Sequence, residues 1–467
     1  MAGTRSRRRR TRRTRPIAIT IVVLLVAVAA ATWGLGWVDH WRGHDRVAAV
    51  PAPRPLSITP PAATPAPPVA TAGAGKLDAA KVQRVLNHGL TTALGSHVLA
   101  VIAGKSGTAV ATHGSGVITP ASTNKLLTSA TVLALDGPEK RFTTSVVAGG
   151  AKRIVLVGGG DPLLASKPSS SYPRRADLTT LARETAAALK KQGHTHVRVQ
   201  YDATLFTGPS VNPSWPKSYI PEGVVAPITA LWADEGYADG GAGRVADPAS
   251  DAAKDFVQAL TAAGITVNGT PTPALAPGNA PTLAKVQSPP LREIVDHVLE
   301  TSDNEGAEVL GHQAGLAAGT GASFAGGVQA VMQTLPKLGV DTTGLALHDG
   351  SGLSRQDRLT PTALVQVLQR ATSDSRLGPI VSALPIAGFS GSLLERYEGH
   401  SDAGRGVVRA KTGTLTGVDA LAGYTQDADG SPMVFAVLAD HVAVPNTLKA
   451  RNALDALATA LTTCRCG

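Results

Sequence analysis

The sequence has few cysteines, few aromatic residues and few charged residues. Of 467 residues, 2 are cysteine, 4% are aromatic and 17% are charged. The cysteines, Cys464 and Cys466, are separated by one residue, a spacing that would strain a disulfide between them, so we interpret them as an incidental tail. No Cys/His group has the spacing of a zinc site, and no H-E-x-x-H motif occurs. The sequence therefore predicts no disulfide scaffold, no metal site and no cofactor.

The positive charge is concentrated at one end of the chain. The net charge is +10, and eight arginines lie between Arg5 and Arg15, which leaves +2 for the remainder. An arginine-rich arm is typical of a solvated or nucleic-acid-binding tail. An uncharged segment follows this arm directly, which favours a membrane-flanking role. We therefore predict a cytoplasmic basic arm over residues 1–16 and no nucleic-acid partner.

The uncharged segment is Ile17–Val38. As a helix it would span about 30 Å, the thickness of a bilayer core. A basic flank before such a segment keeps the N-terminus in the cytosol. The small residues Ala27–Ala29 leave a cleaved signal as the alternative. We predict a transmembrane anchor over residues 17–38, with the rest of the protein at the extracytoplasmic face of the cytoplasmic membrane.

A Pro/Ala-rich spacer separates this segment from the predicted folded body. Residues 39–75 cannot bury a core and predict an extended linker. From Lys76 onward the hydrophobic pattern alternates between helical and strand periods. The pattern predicts these elements: helices over Leu77–Leu94, Asp251–Ala263, Leu291–Leu310 and Val444–Leu461, and strands over Val98–Ala103, Gly107–His113, Arg153–Val157, Val407–Lys411, Leu421–Tyr424 and Met433–Leu438. Strands at both ends predict an α/β body whose sheet joins distant parts of the chain.

A serine and a lysine three residues apart are the first candidate site residues. They occur in Ser122-Thr123-Asn124-Lys125, where a helix is predicted to begin. Residues i and i+3 share one helix face, so the two side chains can meet. A lysine desolvated in a cleft can lose its proton and act as a base toward the serine. An exposed lysine at a helix start is the ordinary alternative for this motif alone.

Two further polar motifs follow. Ser302-Asp303-Asn304 interrupts an apolar helical stretch and can present a hydroxyl and a carboxamide to a cleft, or can simply cap a helix. Lys411-Thr412-Gly413-Thr414 follows a predicted strand and offers a cation and two hydroxyls, with a glycine that permits close approach to the backbone. The alternative for this motif is an exposed strand that ends in a turn.

The order S-x-x-K, S-D-N, K-T-G is the signature of class A β-lactamases and penicillin-binding proteins. With it, the chain resembles the D-alanyl-D-alanine carboxypeptidase/endopeptidase group of low-molecular-mass penicillin-binding proteins, the DacB-like S13 peptidases. The resemblance extends over about residues 76–461. It is carried further by the segments GGGDPLL, YDATLF, HDGSGLSRQDRLTP, LPIAGFSGSLLERY and AKTGTLTGVDALAGY.

The resemblance implies a role for each motif residue in acyl transfer from peptidoglycan stem peptides, with β-lactams as acylating inhibitors. The implied catalytic residues are Ser122 as nucleophile, Lys125 as base, Ser302 as proton donor to the leaving amine, Asn304 as a substrate-amide ligand and Lys411 as electrostatic support. The implied substrate-binding residues are Thr412, Gly413 and Thr414, and the implied oxyanion hole is formed by the backbone N–H groups of Ser122 and Thr414. Asp202 matches a position that contacts a diaminopimelate side chain, although an aspartate before small residues is also ordinary turn chemistry.

The resemblance also implies the fold. It predicts the penicillin-binding-protein/serine β-lactamase-like transpeptidase fold, an α/β class with an antiparallel five-stranded sheet and a helical lobe. The catalytic domain would comprise residues 76–140 and 286–467, with one smaller inserted domain over residues 141–285. A β-lactamase is a rival function, but no E-x-x-L-N pattern lies between the second and third motifs. A non-catalytic wall-binding protein on the same fold is the other rival.

Overall fold

The computed structural model describes residues 76–150, 152–238, 241 and 243–467. The predicted arm, anchor and linker over residues 1–75 lie outside the described residues. Within the described part, no helix has the length and apolar character needed to cross a membrane.

A five-stranded sheet joins the two ends of the described chain. Its strands are β1 (Val98–Gly104), β2 (Ala109–His113), β9 (Arg409–Leu415), β10 (Val418–Gln426) and β11 (Pro432–Ala439). The order is β2-β1-β11-β10-β9, and every neighbouring pair is antiparallel. The antiparallel five-stranded sheet predicted from the sequence is therefore confirmed, and β9 is an edge strand.

Both faces of this sheet are covered, so its central strands are almost entirely apolar. Side chains of a strand alternate between the two faces. Along β1, Leu99 and Val101 join one core, whereas Ala100 and Ile102 join the other. Burial of two faces explains why β11 (Pro432–Ala439) is a continuous hydrophobic run rather than an alternating one.

Ten α-helices accompany the sheets in the described residues. They are α1 (Ala79–Gly89), α2 (Lys125–Asp136), α3 (Leu178–Lys191), α4 (Pro248–Ala262), α5 (Leu291–Thr301), α6 (Asn304–Ala318), α7 (Phe324–Thr334), α8 (Pro361–Ser373), α9 (Gly378–Ser382) and α10 (Thr447–Thr463). Helices α1 and α10 pack together on one face of the five-stranded sheet. Helices α2, α5, α6, α7 and α8 share the core on the other face. The helical region expected beside the sheet is thus present.

A second sheet is built from the segment predicted as an insertion. It contains β3 (Thr143–Ala148), β4 (Arg153–Val157), β5 (His196–Asp202), β6 (Thr266–Val267), β7 (Thr272–Pro273) and β8 (Thr282–Gln287). Helices α3 and α4 pack against one another and share a core with it. All the described strands between residues 143 and 287 belong to this sheet, and the single inserted domain over residues 141–285 stays a prediction.

The helix predicted over Leu291–Leu310 is two helices. Ser302 ends α5 with a left-handed backbone, φ 62°, which breaks the helical ladder. Asp303 then starts α6 by accepting a hydrogen bond from the Gly306 N–H at 3.0 Å. The apolar pattern continues through the break because both helices bury residues in the same core. This break sets the second motif at a corner rather than along a helix face.

The C-terminal tail is not incidental sequence. Cys464 and Cys466 form a disulfide, which corrects our interpretation of them. The Cys466 carbonyl accepts a hydrogen bond from the Asp78 N–H at 2.7 Å, and its own N–H donates to Asp427 at 3.0 Å. Local spacing alone favoured unpaired cysteines, whereas contacts made with distant residues fix the tail.

Candidate active site

Ser122 and Lys125 lie at the start of helix α2, close to the edge of the five-stranded sheet. Ser122 belongs to a single 3-10 turn, Ala121–Asn124, that leads directly into the helix. The Lys125 Nζ lies 2.9 Å from the Ser122 Oγ. Lys125 is fully buried, whereas Ser122 is partly exposed. The serine is therefore accessible, and its lysine partner is shielded from water.

The Lys125 amine has two more partners. Its Nζ donates to the Asn304 Oδ1 at 2.8 Å and to the backbone carbonyl of Ser351 at 2.9 Å. The first contact joins the first and second motifs across 179 residues. A neutral amine can donate two hydrogen bonds and accept one from a hydroxyl, so these contacts suit a lysine that takes the serine proton.

The charge state of Lys125 follows from its surroundings. Burial lowers the pKa of Lys125 to about 8, because the charged form loses its hydration. The carboxylates of Asp303, Asp349, Glu308 and Glu305 act in the opposite direction. A lysine with a pKa near neutrality can serve as a general base.

The second motif occupies the corner between α5 and α6. Ser302 and Asn304 are partly exposed, whereas the carboxyl group of Asp303 points into the protein. Because Asn304 starts α6, its side chain faces α2 and reaches Lys125. The capping role that the sequence left open is thus taken by Asp303, which leaves Ser302 and Asn304 free for other contacts.

The third motif lies on edge strand β9. Lys411 is fully buried, and its Nζ donates to the Thr412 carbonyl at 3.0 Å. Burial, and then the nearby charge of Lys125, hold the pKa of Lys411 well below its usual value. The Thr412 Oγ1 donates to the Ser392 Oγ at 2.8 Å, and Thr414 is exposed.

Gly413 is needed for close packing within the protein. A Cβ built on it would lie 2.7 Å from the Pro120 carbonyl oxygen and 3.3 Å from the Ala121 Cβ. The sequence prediction that this glycine admits a ligand stays a prediction, and the observed close neighbour of its Cβ position is the segment that leads into the Ser122 turn. Gly413 therefore sets the distance between β9 and the Ser122 turn.

Asp202 is placed differently from the other predicted site residues. It ends β5 in the second sheet and is buried. One carboxyl oxygen accepts hydrogen bonds from the Thr204 N–H and hydroxyl, and the other accepts one from the Ala276 N–H at 2.7 Å. These contacts match the turn alternative, and none of them involves the three motifs.

A buried loop that the sequence reasoning did not assign to the site supports Lys125. Glu308 on α6 accepts hydrogen bonds from the N–H groups of Gly350 and Ser351, at 3.0 and 2.8 Å. Asp349 accepts from Gly352 and Ser354 within the same loop, at 2.7 and 2.6 Å. Burial raises the pKa of Glu308 to about 8. This loop positions the carbonyl that holds Lys125.

Ser351 belongs to HDGSGLSRQDRLTP and Ser392 to LPIAGFSGSLLERY, two segments that carry the resemblance. The family resemblance of those segments was the sequence signal for these two serines, but it did not indicate which residue either serine contacts. Glu308 had no signal of its own, because a glutamate within a helix usually faces solvent. Only the fold shows that it faces the loop.

Comparison with known proteins gives a consistent result over most of the chain. A family model described as the D-Ala-D-Ala carboxypeptidase 3 (S13) family matches residues 80–242 and 238–461. Carboxypeptidase Rv3627c of Mycobacterium tuberculosis is 38% identical over 364 residues, which are 75% of this chain and 76% of that protein. Carboxypeptidase DacB of Mycolicibacterium smegmatis is 36% identical over 430 residues, 87% of this chain and 91% of that protein.

A solved structure shares the fold. The crystal structure of penicillin binding protein 4 (dacB) from Haemophilus influenzae superposes with a TM-score of 0.66. It is 21% identical, and the match covers 81% of this chain and 97% of that chain. The predicted penicillin-binding-protein/β-lactamase-like fold is therefore confirmed.

Proposed function

Because this chain belongs to the D-Ala-D-Ala carboxypeptidase 3 (S13) family, we propose that it is a serine-type D-Ala-D-Ala carboxypeptidase and DD-endopeptidase. It acts on peptidoglycan stem peptides through an acyl-enzyme on Ser122. One observation carries the proposal: the buried Lys125 Nζ lies 2.9 Å from the Ser122 Oγ and also contacts Asn304 of the second motif. A base, a nucleophile and a substrate-facing amide thus meet at one point.

Acylation begins with proton transfer from the Ser122 hydroxyl to the neutral Lys125 amine. The Ser122 Oγ attacks the carbonyl carbon of the penultimate D-Ala, and the backbone N–H groups of Ser122 and Thr414 stabilise the oxyanion. The proton on Lys125 then passes through Ser302 to the leaving nitrogen, and the C–N bond breaks. The products are a Ser122 ester and free D-Ala.

Deacylation reverses these proton movements. A water molecule gives a proton to Lys125 and attacks the ester carbonyl, which frees the shortened peptide and restores the Ser122 hydroxyl. In endopeptidase action the leaving amine is the side-chain end of a cross-linked diaminopimelate.

Lys411 supplies electrostatic support beside Lys125, and Thr412 and Thr414 bind the substrate carboxylate. Asp202 as a diaminopimelate ligand stays a prediction, with its carboxyl oxygens engaged in a turn.

The partners follow from the same chemistry. β-Lactams mimic D-Ala-D-Ala and should acylate Ser122, in keeping with the penicillin-binding name of the Haemophilus influenzae protein that shares the fold.

We propose that the protein lies at the extracytoplasmic face of the cytoplasmic membrane. The basic arm and the uncharged segment over residues 17–38 support this location. Protease treatment of intact cells, with detection of the C-terminal body, tests it.

Two substrates test the proposed activity. The full-length protein is incubated with a monomeric pentapeptide muropeptide and with a cross-linked muropeptide dimer. Release of D-Ala from the first shows carboxypeptidase action, and conversion of the dimer to monomers shows endopeptidase action. Loss of both in Ser122→Ala supports the proposal. Equal turnover by Ser122→Ala would overturn it, and no turnover by the wild type would favour the wall-binding alternative.

A further inference from the structure

A group of ionisable side chains lies beside the Ser302–Asn304 corner and lines the same cavity. It consists of Glu235, His297 and Asp303. The Glu235 Oε1 lies 3.4 Å from the His297 Nε2, which lies 3.8 Å from the Asp303 Oδ2. All three ligand atoms fall within 4.8 Å of one another. We call this mixed group the Glu-His-Asp cluster, and none of its side chains is assigned a bond-forming or proton-transfer step in the proposed reaction.

The fold holds each member of the cluster from a different element. Glu235 lies in a loop with a left-handed backbone, φ 56°, which costs energy for a residue with a side chain. His297 lies on α5, one turn before its end. Asp303 is anchored through Oδ1 by the Gly306 N–H, which leaves Oδ2 directed at His297. The convergence is therefore built from three separate segments.

Two atoms of the cluster lack hydrogen-bond partners although they are buried. These are the His297 Nε2 and the Asp303 Oδ2. The side chain of Asp303 is 4% exposed and that of His297 is 14% exposed. A buried polar atom without a partner is costly, so such atoms usually mark a bound water or ion. The two atoms point toward each other, which indicates a shared ligand.

We propose that Glu235, His297 and Asp303 bind a divalent transition-metal cation of the zinc type. An imidazole nitrogen and two carboxylates are a common zinc ligand set, with metal–ligand distances of about 2.0–2.2 Å and tetrahedral geometry. Tetrahedral ligands at such distances lie about 3.3–3.6 Å apart. Two of the three separations, 3.4 and 3.8 Å, are close to that spacing, and the third is no more than 4.8 Å.

The surroundings provide room and charge balance for the cation. A cavity of about 360 Å³ borders the cluster and Ser302, and it can hold water as a fourth ligand. The Arg175 Nη2 contacts the Glu235 Oε1 at 2.6 Å, so a cation would share that oxygen or use Oε2. The Glu235 and Asp303 carboxylates and the Arg175 guanidinium together carry a net charge of −1. A divalent cation would therefore change the net charge of the group from −1 to +1.

The cation would act on the proposed site through the backbone. Asp303 lies between Ser302 and Asn304, so fixing its side chain fixes the corner that presents both. The role is positional, and it involves no metal in the acyl-transfer steps. It departs from our prediction of no metal site, which rested on local sequence spacing. Three residues separated by 62 and 6 positions give no local motif.

This proposal is tested by titrating zinc chloride into chelator-treated full-length protein and measuring the zinc affinity by calorimetry. The wild type should bind zinc at a site that His297→Ala weakens by at least about 100-fold, because losing a direct ligand costs more than losing a residue that only orients one, which costs about 10–100-fold. Glu235→Gln should weaken it in the same direction. His441→Ala is the matched control, because it removes the exposed histidine of the other described His/Asp group, His97–Asp440–His441.

The outcomes separate the alternatives. Weakening in His297→Ala and Glu235→Gln, with His441→Ala unchanged, supports the proposal. No zinc binding by the wild type overturns it and favours direct contacts of His297 with the two carboxylates without a metal. Equal affinity in wild type and His297→Ala also overturns it. Circular dichroism of each variant checks folding, and Glu235→Gln, which retains the size of the side chain, keeps the test valid if His297→Ala unfolds. Zinc affinity is measured without substrate, so failure here is distinct from failure of the proposed activity.

Discussion

The candidate site has two walls that are positioned by different means. The helix wall consists of Ser122, Lys125 and Asn304, and the strand wall consists of residues 411–414 of β9. On the helix wall, Lys125 is held by side-chain and loop contacts to Ser122, Asn304 and Ser351, all between 2.8 and 2.9 Å. On the strand wall, Lys411 makes one hydrogen bond to the neighbouring Thr412 carbonyl, and β9 is set by sheet register and by the packing of Gly413. Contacts that include distant segments hold the proposed base, whereas strand pairing places the edge that we propose binds substrate. Changes on the helix wall should therefore affect the chemical step, and changes on the strand wall should affect substrate binding.

The largest effect is expected from Lys125→Ala. Removal of the base should lower the rate of Ser122 acylation by about 10²–10⁴-fold, the usual contribution of general base catalysis. Stopped-flow acylation by a chromogenic β-lactam measures this rate. Lys254→Met, which alters an exposed lysine on α4 (62% exposed side chain), is the matched control and should acylate normally. An unimpaired Lys125→Ala variant would show that the helix wall does not supply the base.

Glu308→Leu should have the next largest effect. It leaves the Gly350 and Ser351 N–H groups without their acceptor, so we expect a loss of about 1–3 kcal/mol in the free energy of unfolding. The displaced Ser351 carbonyl should also slow acylation by about 10-fold or more, the scale of an outer-shell contact. Urea unfolding and acylation kinetics measure the two effects. Glu308→Gln retains an acceptor oxygen and should lose less in both, and an equal loss in both variants would exclude this positioning role.

The pH dependence of acylation should follow Lys125. The pKa of Lys125 is lowered to about 8, and the base is active only when neutral. The acylation rate should therefore rise about tenfold per pH unit below this pKa and level off above it. A pH–rate profile from about pH 6 to about pH 9 tests this sign. A rate that falls across this range would mean that the charged form of Lys125 is the active one.

The smallest effect is expected on the strand wall, from Ser392→Ala. This variant removes the partner of the Thr412 hydroxyl, a contact of 2.8 Å. A neutral hydrogen bond contributes about 0.5–1.5 kcal/mol, so we expect about a 2–10-fold rise in KM with little change in kcat. Steady-state kinetics on a D-Ala-D-Ala peptide separate the two constants. A fall in kcat as large as that of Lys125→Ala would erase the difference between the walls.

The sequence predicted those parts of the fold that depend on local periodicity. The strand over Arg153–Val157 is observed with the predicted bounds, and Val98–Ala103 is extended by one residue to Gly104. The sequence could not predict the break at Ser302, because apolar residues recur at helical spacing on both sides of it. Only the left-handed backbone of Ser302 marks the corner. The turn at Asp202 was open to two interpretations: its observed hydrogen bonds match the turn interpretation, and the diaminopimelate contact stays a prediction.

The residues of the candidate site also divide into those that a local sequence motif identifies and those that no local motif identifies. The three motifs were identified because each is a short pattern and their order is specific. The Ser351 carbonyl and the Glu308 carboxylate were not, because a backbone carbonyl has no sequence signal and the contact from Lys125 to Ser351 spans 226 residues. Loop supports of this kind become visible only when tertiary packing brings distant segments together.

The central claim is that Ser122 is an activated nucleophile. It is tested most directly by intact-protein mass spectrometry of the full-length protein after incubation with benzylpenicillin, alongside Ser122→Ala. We expect a covalent adduct with the mass of the antibiotic on the wild type and none on Ser122→Ala. An adduct on both proteins, or neither an adduct nor consumption of benzylpenicillin by the wild type, would contradict the account. Rapid consumption without a lasting adduct would instead identify a β-lactamase.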